Sequence, residues 1–167
     1  MALRSNHGHA RRTDRCRSGR ESEDGVLISD VIRSKGDLVV TIAPDDTVKV
    51  LIDRLDEHGI GALVVSTDGK TIGGIVSERD VVRRLHRDGA AVLEQQVSDI
   101  MTADVKTAAP EDNIEDTARV MTQARVRHLP VVSGGALVAI ISIGDVVKHR
   151  IDELQSERDQ LTAYIQS

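Results

Sequence analysis

The stretch "GIVSERD" at residues 74–80 returns in pattern as "AIISIGD" at residues 139–145. In both copies an apolar run ends in Ser, and an Asp follows three positions later. Other phrases return in the same order: "ISDVI" at 28–32 as "VSDIM" at 97–101, "TIAPDDTV" at 41–48 as "TAAPEDNI" at 107–114, and "IGALVV" at 60–65 as "VRHLPV" at 126–131. Ordered, nearly gapless matches of this kind indicate an internal duplication.

Each copy is predicted to begin with a strand and a helix. The strands are expected at Leu38–Ile42 and Val105–Ala108, each followed by a turn of Pro and two acids, with Asp46 or Asp112 placed to cap the helix. Apolar residues at i, i+3, i+4 and i+7 should give each helix one buried stripe. The stripes are Val48, Leu51, Ile52 and Leu55 in the first copy and Ile114, Thr117, Ala118 and Met121 in the second. Gly59 is expected to end the first helix in the left-handed conformation.

Two further strands and a second helix complete each copy. The predicted strands are Ala62–Ser66, Thr71–Val76, His128–Val132 and Leu137–Ile141. Turns at Asp68-Gly69 and Gly134-Gly135 should join them, and second helices should start at Ser77 and Ser142. A β-α-β-β-α unit of about 60 residues has a marginal core by itself. We therefore expect a mixed α/β (α+β) fold in which the two units pack face to face with pseudo-twofold symmetry.

Charge and composition divide the chain and exclude some functions. The net charge is −5; residues 1–24 hold six Arg and four acids (+2), which leaves −7 for the rest. We predict a disordered basic tail at 1–25, repeats at 26–90 and 91–148, and a C-terminal helix at 149–167. The acidic folded part and the single aromatic residue, Tyr164, argue against a nucleic-acid partner.

The same composition bears on the cellular location. The apolar runs are too short for a membrane span of about 20 residues, and no apolar segment follows the N-terminal arginines, so we expect a cytoplasmic protein without a membrane partner. The single Cys16 has no partner for an internal disulfide. The sequence contains no pairing of nucleophile and base, no metal-ligand spacing and no phosphate loop, so an enzyme is not expected.

The repeated phrases resemble the CBS domain, named after cystathionine β-synthase, in a stand-alone pair of the bacterial type. The resemblance spans about residues 28–148 and is carried by "VSDIM" at 97–101, "RHLPVV" at 127–132 and the Gly-apolar-apolar-Ser-x-x-Asp phrase at 74–80. It implies a tandem pair, or Bateman module, that regulates other proteins. Such pairs bind AMP, ADP, ATP or S-adenosylmethionine in the cleft between repeats, and they commonly form homodimers.

The resemblance also implies which residues contact a ligand. In the family pattern the Ser meets phosphate or ribose, the Asp accepts hydrogen bonds from the ribose hydroxyls, and the "VRHLP" segment borders the base. The residues implied here are Ser77, Asp80, Ser142, Asp145, Val126, Arg127 and His128, together with their counterparts Ile60, Gly61 and Ala62. Arg79 is a further candidate, because it adds positive charge at the first helix start.

Elementary chemistry supports two interpretations of Ser-x-x-Asp. The start of a helix presents free N–H groups and a positive dipole end to an anion, and a nearby carboxylate can accept a diol. Alternatively the motif is a capping box, although such boxes usually use Glu or Gln because Asp is shorter. Arg127 and His128 should supply positive charge in the second repeat, which would leave "GIVSERD" as the cleft with fewer cations.

The C-terminal helical pattern continues well beyond the second repeat. Val147, Ile151, Leu154, Leu161 and Ile165 follow heptad spacing, with Arg158 in the gap. We expect a helix over 143–166 whose end extends past the domain onto a dimer mate; the alternative is a helix that lies back on its own domain. Two functions follow: a nucleotide-sensing module that signals to a target protein or dimer mate, or a ligand-free assembly module.

Overall fold

The computed structural model describes residues 25–36 and 39–166, so nearly all of the predicted tail (1–25) lies outside the described residues. The helices are α1 (Ile28–Lys35), α2 (Val48–His58), α3 (Glu78–Asp88), α4 (Val97–Ile100), α5 (Ile114–Ala124) and α6 (Ile143–Gln166), with a 3-10 helix at Gly89–Glu94. The strands are β1 (Thr41–Ile42), β2 (Ala62–Val65), β3 (Gly74–Ser77), β4 (His128–Ser133) and β5 (Ala136–Ser142). The mixed α/β fold of two repeats is confirmed.

Both repeats build the same small sheet. In the first, β1 runs parallel to β2, and β3 pairs antiparallel with β2. In the second, β4 and β5 form an antiparallel pair. The strand predicted at Val105–Ala108 is reduced to a parallel bridge between Ala108 and Val131, the counterpart of the contact between β1 and β2.

The helix caps differ from the prediction by one position. Thr47 caps α2 by accepting a backbone N–H three residues on at 3.3 Å, and Asn113 caps α5 in the same manner. Asp46 and Asp112 lie one residue too early; their carboxylates accept the N–H groups three residues before them and close the preceding turns. The cap is the last extended residue before the helix, and that residue is Thr47 or Asn113.

The first helix of each repeat buries a narrower stripe than the sequence indicated. Val48, Leu51 and Leu55 are buried on α2, but Ile52 is 36% exposed because it lies at the edge of the stripe. α2 ends at Gly59 in the left-handed conformation, as predicted. α5 ends at Arg125 with φ of 54°, an unusual conformation for a residue with a side chain.

Two different turns join the strand pairs. Gly134 and Gly135 both have positive φ and form a tight hairpin turn between β4 and β5. The connection between β2 and β3 is longer, because the Asp68 carboxylate accepts the backbone N–H groups of Lys70 (2.8 Å) and Thr71 (2.6 Å). β3 therefore starts at Gly74 rather than at Thr71.

The cores are completed by exchanged segments. Ile28 and Val31 open the first repeat in sequence but lie in the core of the second, while Val97 and Ile100 lie near the start of the second repeat and in the core of the first. Each segment docks on the Pro turn of the other repeat. The Ile28 N–H donates to the Asp112 carbonyl at 3.0 Å, and the Val97 N–H donates to the Asp46 carbonyl at 2.9 Å. Each core is therefore completed by residues that the sequence assigns to the other repeat.

The C-terminal helix has the predicted length and leaves the body after its first turns. Val146 is buried against the second core, whereas Ile151 and Leu154 are about half exposed and Ile165 is 83% exposed. The alternative of a helix lying back on its own domain is therefore wrong. Among the described residues, no helix is both long and apolar enough to span a bilayer.

Candidate functional site

The helix α3 starts at the first Ser-x-x-Asp motif, at the carboxyl end of β3. The Asp80 carboxylate accepts the Ser77 backbone N–H at 2.9 Å and the Ser77 hydroxyl at 2.6 Å, through the same oxygen, Oδ2. Asp is thus long enough to close the box, and the argument that its length disfavours capping is wrong. The Glu78 N–H donates to the Gly61 carbonyl at 3.2 Å, so one helix-start donor is unavailable to an anion.

The second motif has the same internal geometry with one addition. The Asp145 carboxylate accepts the backbone N–H and the hydroxyl of Ser142, both at 2.7 Å, and the Ile143 N–H donates to the Arg127 carbonyl. In addition, the Lys35 ammonium from α1 lies 2.8 Å from Asp145 Oδ2. No such cation contacts Asp80 within the described part of the chain.

One cavity of about 560 Å³ lies at the start of α3, between the two repeats. Its walls include eight of the predicted site residues: Gly61, Ala62, Ser77, Arg79, Asp80, Val126, Arg127 and His128. Its floor is aliphatic, with Ile75, Val105 and Leu129 among the lining residues. This first cavity therefore combines the Ser-x-x-Asp motif of repeat one with the "VRH" segment of repeat two.

The charges around this cavity contradict the predicted distribution. Five cations line it against three carboxylates: Arg79, Arg83, Lys106, Arg125 and Arg127 against Glu78, Asp80 and Asp104. The expectation that "GIVSERD" faces fewer cations is wrong, because Arg127 of the second repeat lines the same cavity as Asp80 of the first. None of the five cations makes an ion pair or hydrogen bond within the described residues, so all are available to an anion.

His128 does not contribute a positive charge at neutral pH. Burial lowers its pKa below the ordinary 6.5, and the nearby charges of Lys35 and Arg127 act in the same direction against Asp145 and Glu78. The neutral imidazole stands at the first position of β4, beside Gly61, where an added Cβ would lie 3.5 Å from the ring. It therefore shapes the wall between the repeats and leaves the cationic role to the arginines and Lys106.

A second cavity, of about 360 Å³, lies at the start of α6. Its charged lining residues are Asp30, Lys35, Asp145, Lys148 and Asp152, which give one excess negative charge. Burial raises the pKa of Asp145, but the hydrogen bonds from Lys35 and Ser142 outweigh it and hold that pKa below its usual value. Ile60 and Ser142 line neither of these two cavities, and Ile60 packs against the first core instead.

Sequence reasoning missed Arg83, Lys106, Arg125 and Lys35. Arg125 had a detectable signal, because it takes the place of Gly59 in the repeat, and an L residue at a left-handed helix end is unusual. Lys35 had none, since its contact with Asp145 spans 110 residues. Within the described ranges, no cluster of three or more His, Cys, Asp or Glu side chains could hold a metal ion.

Comparison with known proteins identifies both repeats. The sequence profile of the CBS domain matches residues 28–87 and 97–152. Among curated proteins, the CBS domain-containing protein CBSX3 of Arabidopsis thaliana, described as mitochondrial, is 35% identical over 166 residues, covering 93% of this chain and 81% of that protein.

Solved structures share the fold. The CBS-domain protein ATU1752 of Agrobacterium tumefaciens is 41% identical, with a TM-score of 0.73 over 75% of this chain and 99% of that one. The CBS domain pair of protein MJ0100, solved with 5′-methylthioadenosine and S-adenosyl-L-methionine, is 20% identical, with a TM-score of 0.69 over 78% of this chain and 99% of that one. The latter similarity concerns the fold alone.

Proposed function

The chain belongs to the CBS domain family, as a tandem pair of its repeats, and on this basis we propose that it is a regulatory module that binds an adenine nucleotide in the first cavity. One observation carries the proposal. The cavity between the repeats combines a carboxylate with an unpaired oxygen, an aliphatic floor and a rim of unpaired cations. Its volume of about 560 Å³ lies within the range of small-molecule sites.

Each part of a nucleotide finds suitable chemistry there. Asp80 uses Oδ2 for the two Ser77 bonds, while Oδ1 has no partner within the described residues and can accept a ribose hydroxyl. The base would lie on aliphatic side chains such as Val126 and Ile75, since no Phe, Tyr or Trp lines the cavity. Arg127 and Arg125 would meet the phosphates, because guanidinium groups bind them in bidentate fashion.

The charge balance favours a phosphorylated ligand over S-adenosylmethionine. An excess of two positive charges surrounds the cavity, and S-adenosylmethionine itself carries a sulfonium cation. The MJ0100 pair, solved with adenosyl ligands, supports an adenosine moiety in this fold. The expected order of affinity is therefore ATP and ADP above AMP, with S-adenosylmethionine weakest.

Signalling would follow from the position of the ligand between repeats. Asp80 belongs to the first repeat and Arg127 to the second, so a nucleotide that contacts both would favour one relative arrangement of the two units. The receiver would be a target protein or a dimer mate. We place the module in the cytoplasm, as the sequence suggests.

Isothermal titration calorimetry and thermal denaturation, each with ATP, ADP, AMP and S-adenosylmethionine, test the proposal. A ligand at 100 times its dissociation constant should stabilise the fold by about 2.7 kcal/mol, which raises Tm by roughly 5–10 °C at this chain length. Asp80→Ala should abolish binding, whereas Asp145→Ala, the same change at the equivalent position, should leave it intact. Absence of binding by all four ligands would refute the nucleotide site.

A second function is favoured by the uncovered seam of α6, whose apolar residues are about half exposed or more: Val147, Ile151, Leu154, Leu161 and Ile165. An apolar helical seam in water favours self-association, so we propose a homodimer joined in part along α6. In the ligand-free alternative, this assembly alone would be the function. Truncation after His149, followed by light scattering, should lower the average number of chains per particle; an unchanged number removes the seam from the interface.

A further inference from the structure

We call the start of α3 at Asp80 the first opening and the start of α6 at Asp145 the second opening. They differ in whether a cation of the protein already contacts the aspartate carboxylate. At the second opening, the Lys35 ammonium lies 2.8 Å from Asp145 Oδ2 and 3.4 Å from the Ile140 carbonyl. The same Asp145 oxygen accepts both Ser142 hydrogen bonds, so it has three donors. The Asp145 side chain is only 19% exposed and the Lys35 side chain 45% exposed, so the ion pair is partly open to solvent.

A ribose diol would compete poorly for this carboxylate. A hydroxyl and an ammonium both form charge-assisted hydrogen bonds with a carboxylate, but only the ammonium also gains the attraction between opposite charges. Asp145 Oδ1, like Asp80 Oδ1, has no partner among the described residues, but Lys35 lines the second cavity beside it and already neutralises the carboxylate, which weakens any hydrogen bond that a hydroxyl would donate there. At the first opening, the diol would meet Oδ1 of Asp80 without a competitor among the described residues.

The repeat register shows how the difference arises. The offset of 69 residues that places Ile28 opposite Val97 also places Lys35 opposite Asp104, before the offset falls to 66 at Thr41. Asp104 lines the first cavity, just as Lys35 lines the second. An aspartate cannot form an ion pair with Asp80, so the duplicated segment closes one opening and leaves the other accessible.

We infer that Lys35 limits this chain to one nucleotide, by occupying the carboxylate of the second opening, and that its removal creates a second adenosine-ligand site at Asp145. The inference deepens the proposed function and rests on it. Lys35 is thus a specificity-determining residue that sets the binding stoichiometry. The one excess negative charge of the second cavity acts in the same direction against phosphates.

Calorimetric titration with ATP and with adenosine counts the sites. With adenosine, which carries no phosphate, the wild-type chain should show one site and Lys35→Met two, because the loss of Lys35 leaves two excess negative charges that disfavour ATP at the second site. Lys35→Arg keeps the cation and should remain at one. Lys49→Met is the matched control, because it removes a lysine paired with Asp53 at 2.9 Å on the outside of α2; it should also remain at one.

The outcomes separate the inference from the proposed function. Two sites in the wild type, or one site in both proteins, would overturn the closure by Lys35 and leave the first site standing. Binding by Lys35→Met but not by the wild type would refute the first site and support the closure. If neither protein binds ATP or adenosine, both ideas fail. The Lys35 side chain is 45% exposed, so the substitutions should leave the fold intact.

Discussion

Truncation of Ile28 tests the exchange of segments between the repeats. Ile28 is fully buried in the second core, although it lies at the start of the first repeat in sequence. Ile28→Ala removes three carbons, which is about 2.4 kcal/mol at roughly 0.8 kcal/mol per buried methylene. The cavity left behind raises the expected loss to about 2–5 kcal/mol, and Ile28→Val should cost about 0.5–1.5 kcal/mol.

Urea denaturation of the purified protein measures these losses directly. Native-state hydrogen exchange then shows where they fall: amides of β4 and β5 should lose protection before those of β2 and β3, because Ile28 supports the second core. Ile52→Ala is the matched control, since the same atoms leave a site that is 36% exposed; it should cost less than half as much. A loss below about 1 kcal/mol for Ile28→Ala, or exchange confined to the first sheet, would refute the exchanged packing.

Three further substitutions test local features. Asp68→Asn should lower stability at pH 7, because the backbone hydrogen bonds of Thr71 and Lys70 hold the pKa of Asp68 far below its usual range. This stabilisation is complete above about pH 3.9 and is lost progressively in acid. A difference in urea midpoint between wild type and variant that is the same at pH 7 and at pH 2.5 would contradict it. Arg125→Gly should raise stability by about 1 kcal/mol by relieving the left-handed conformation, yet weaken ATP binding; a lowered Tm would count against strain. Because burial lowers the pKa of His128, the free energy of unfolding of the wild type should fall as pH drops below about 6.5. His128→Gln should make this dependence on pH weaker; an equal dependence in both proteins would contradict the role of burial.

Local patterns in the sequence were sufficient for the repeats and their elements. Alternation and helical spacing predicted β2, β4, β5 and both first helices, because these patterns reflect contacts within one element. The heptad spacing predicted α6 through to its end. The Ser-x-x-Asp phrases correctly marked both helix starts, since capping is a contact over three residues.

Only the tertiary structure decided which partners meet across the repeats. Arg127 joins Asp80 in one cavity, Ile28 enters the core of the other repeat, and Lys35 forms an ion pair with Asp145. Contacts between residues so far apart in sequence leave no period or spacing that a single sequence could reveal. "GIVSERD" and "AIISIGD" alone indicate two equivalent openings, and a lysine from a segment 110 residues away makes them different.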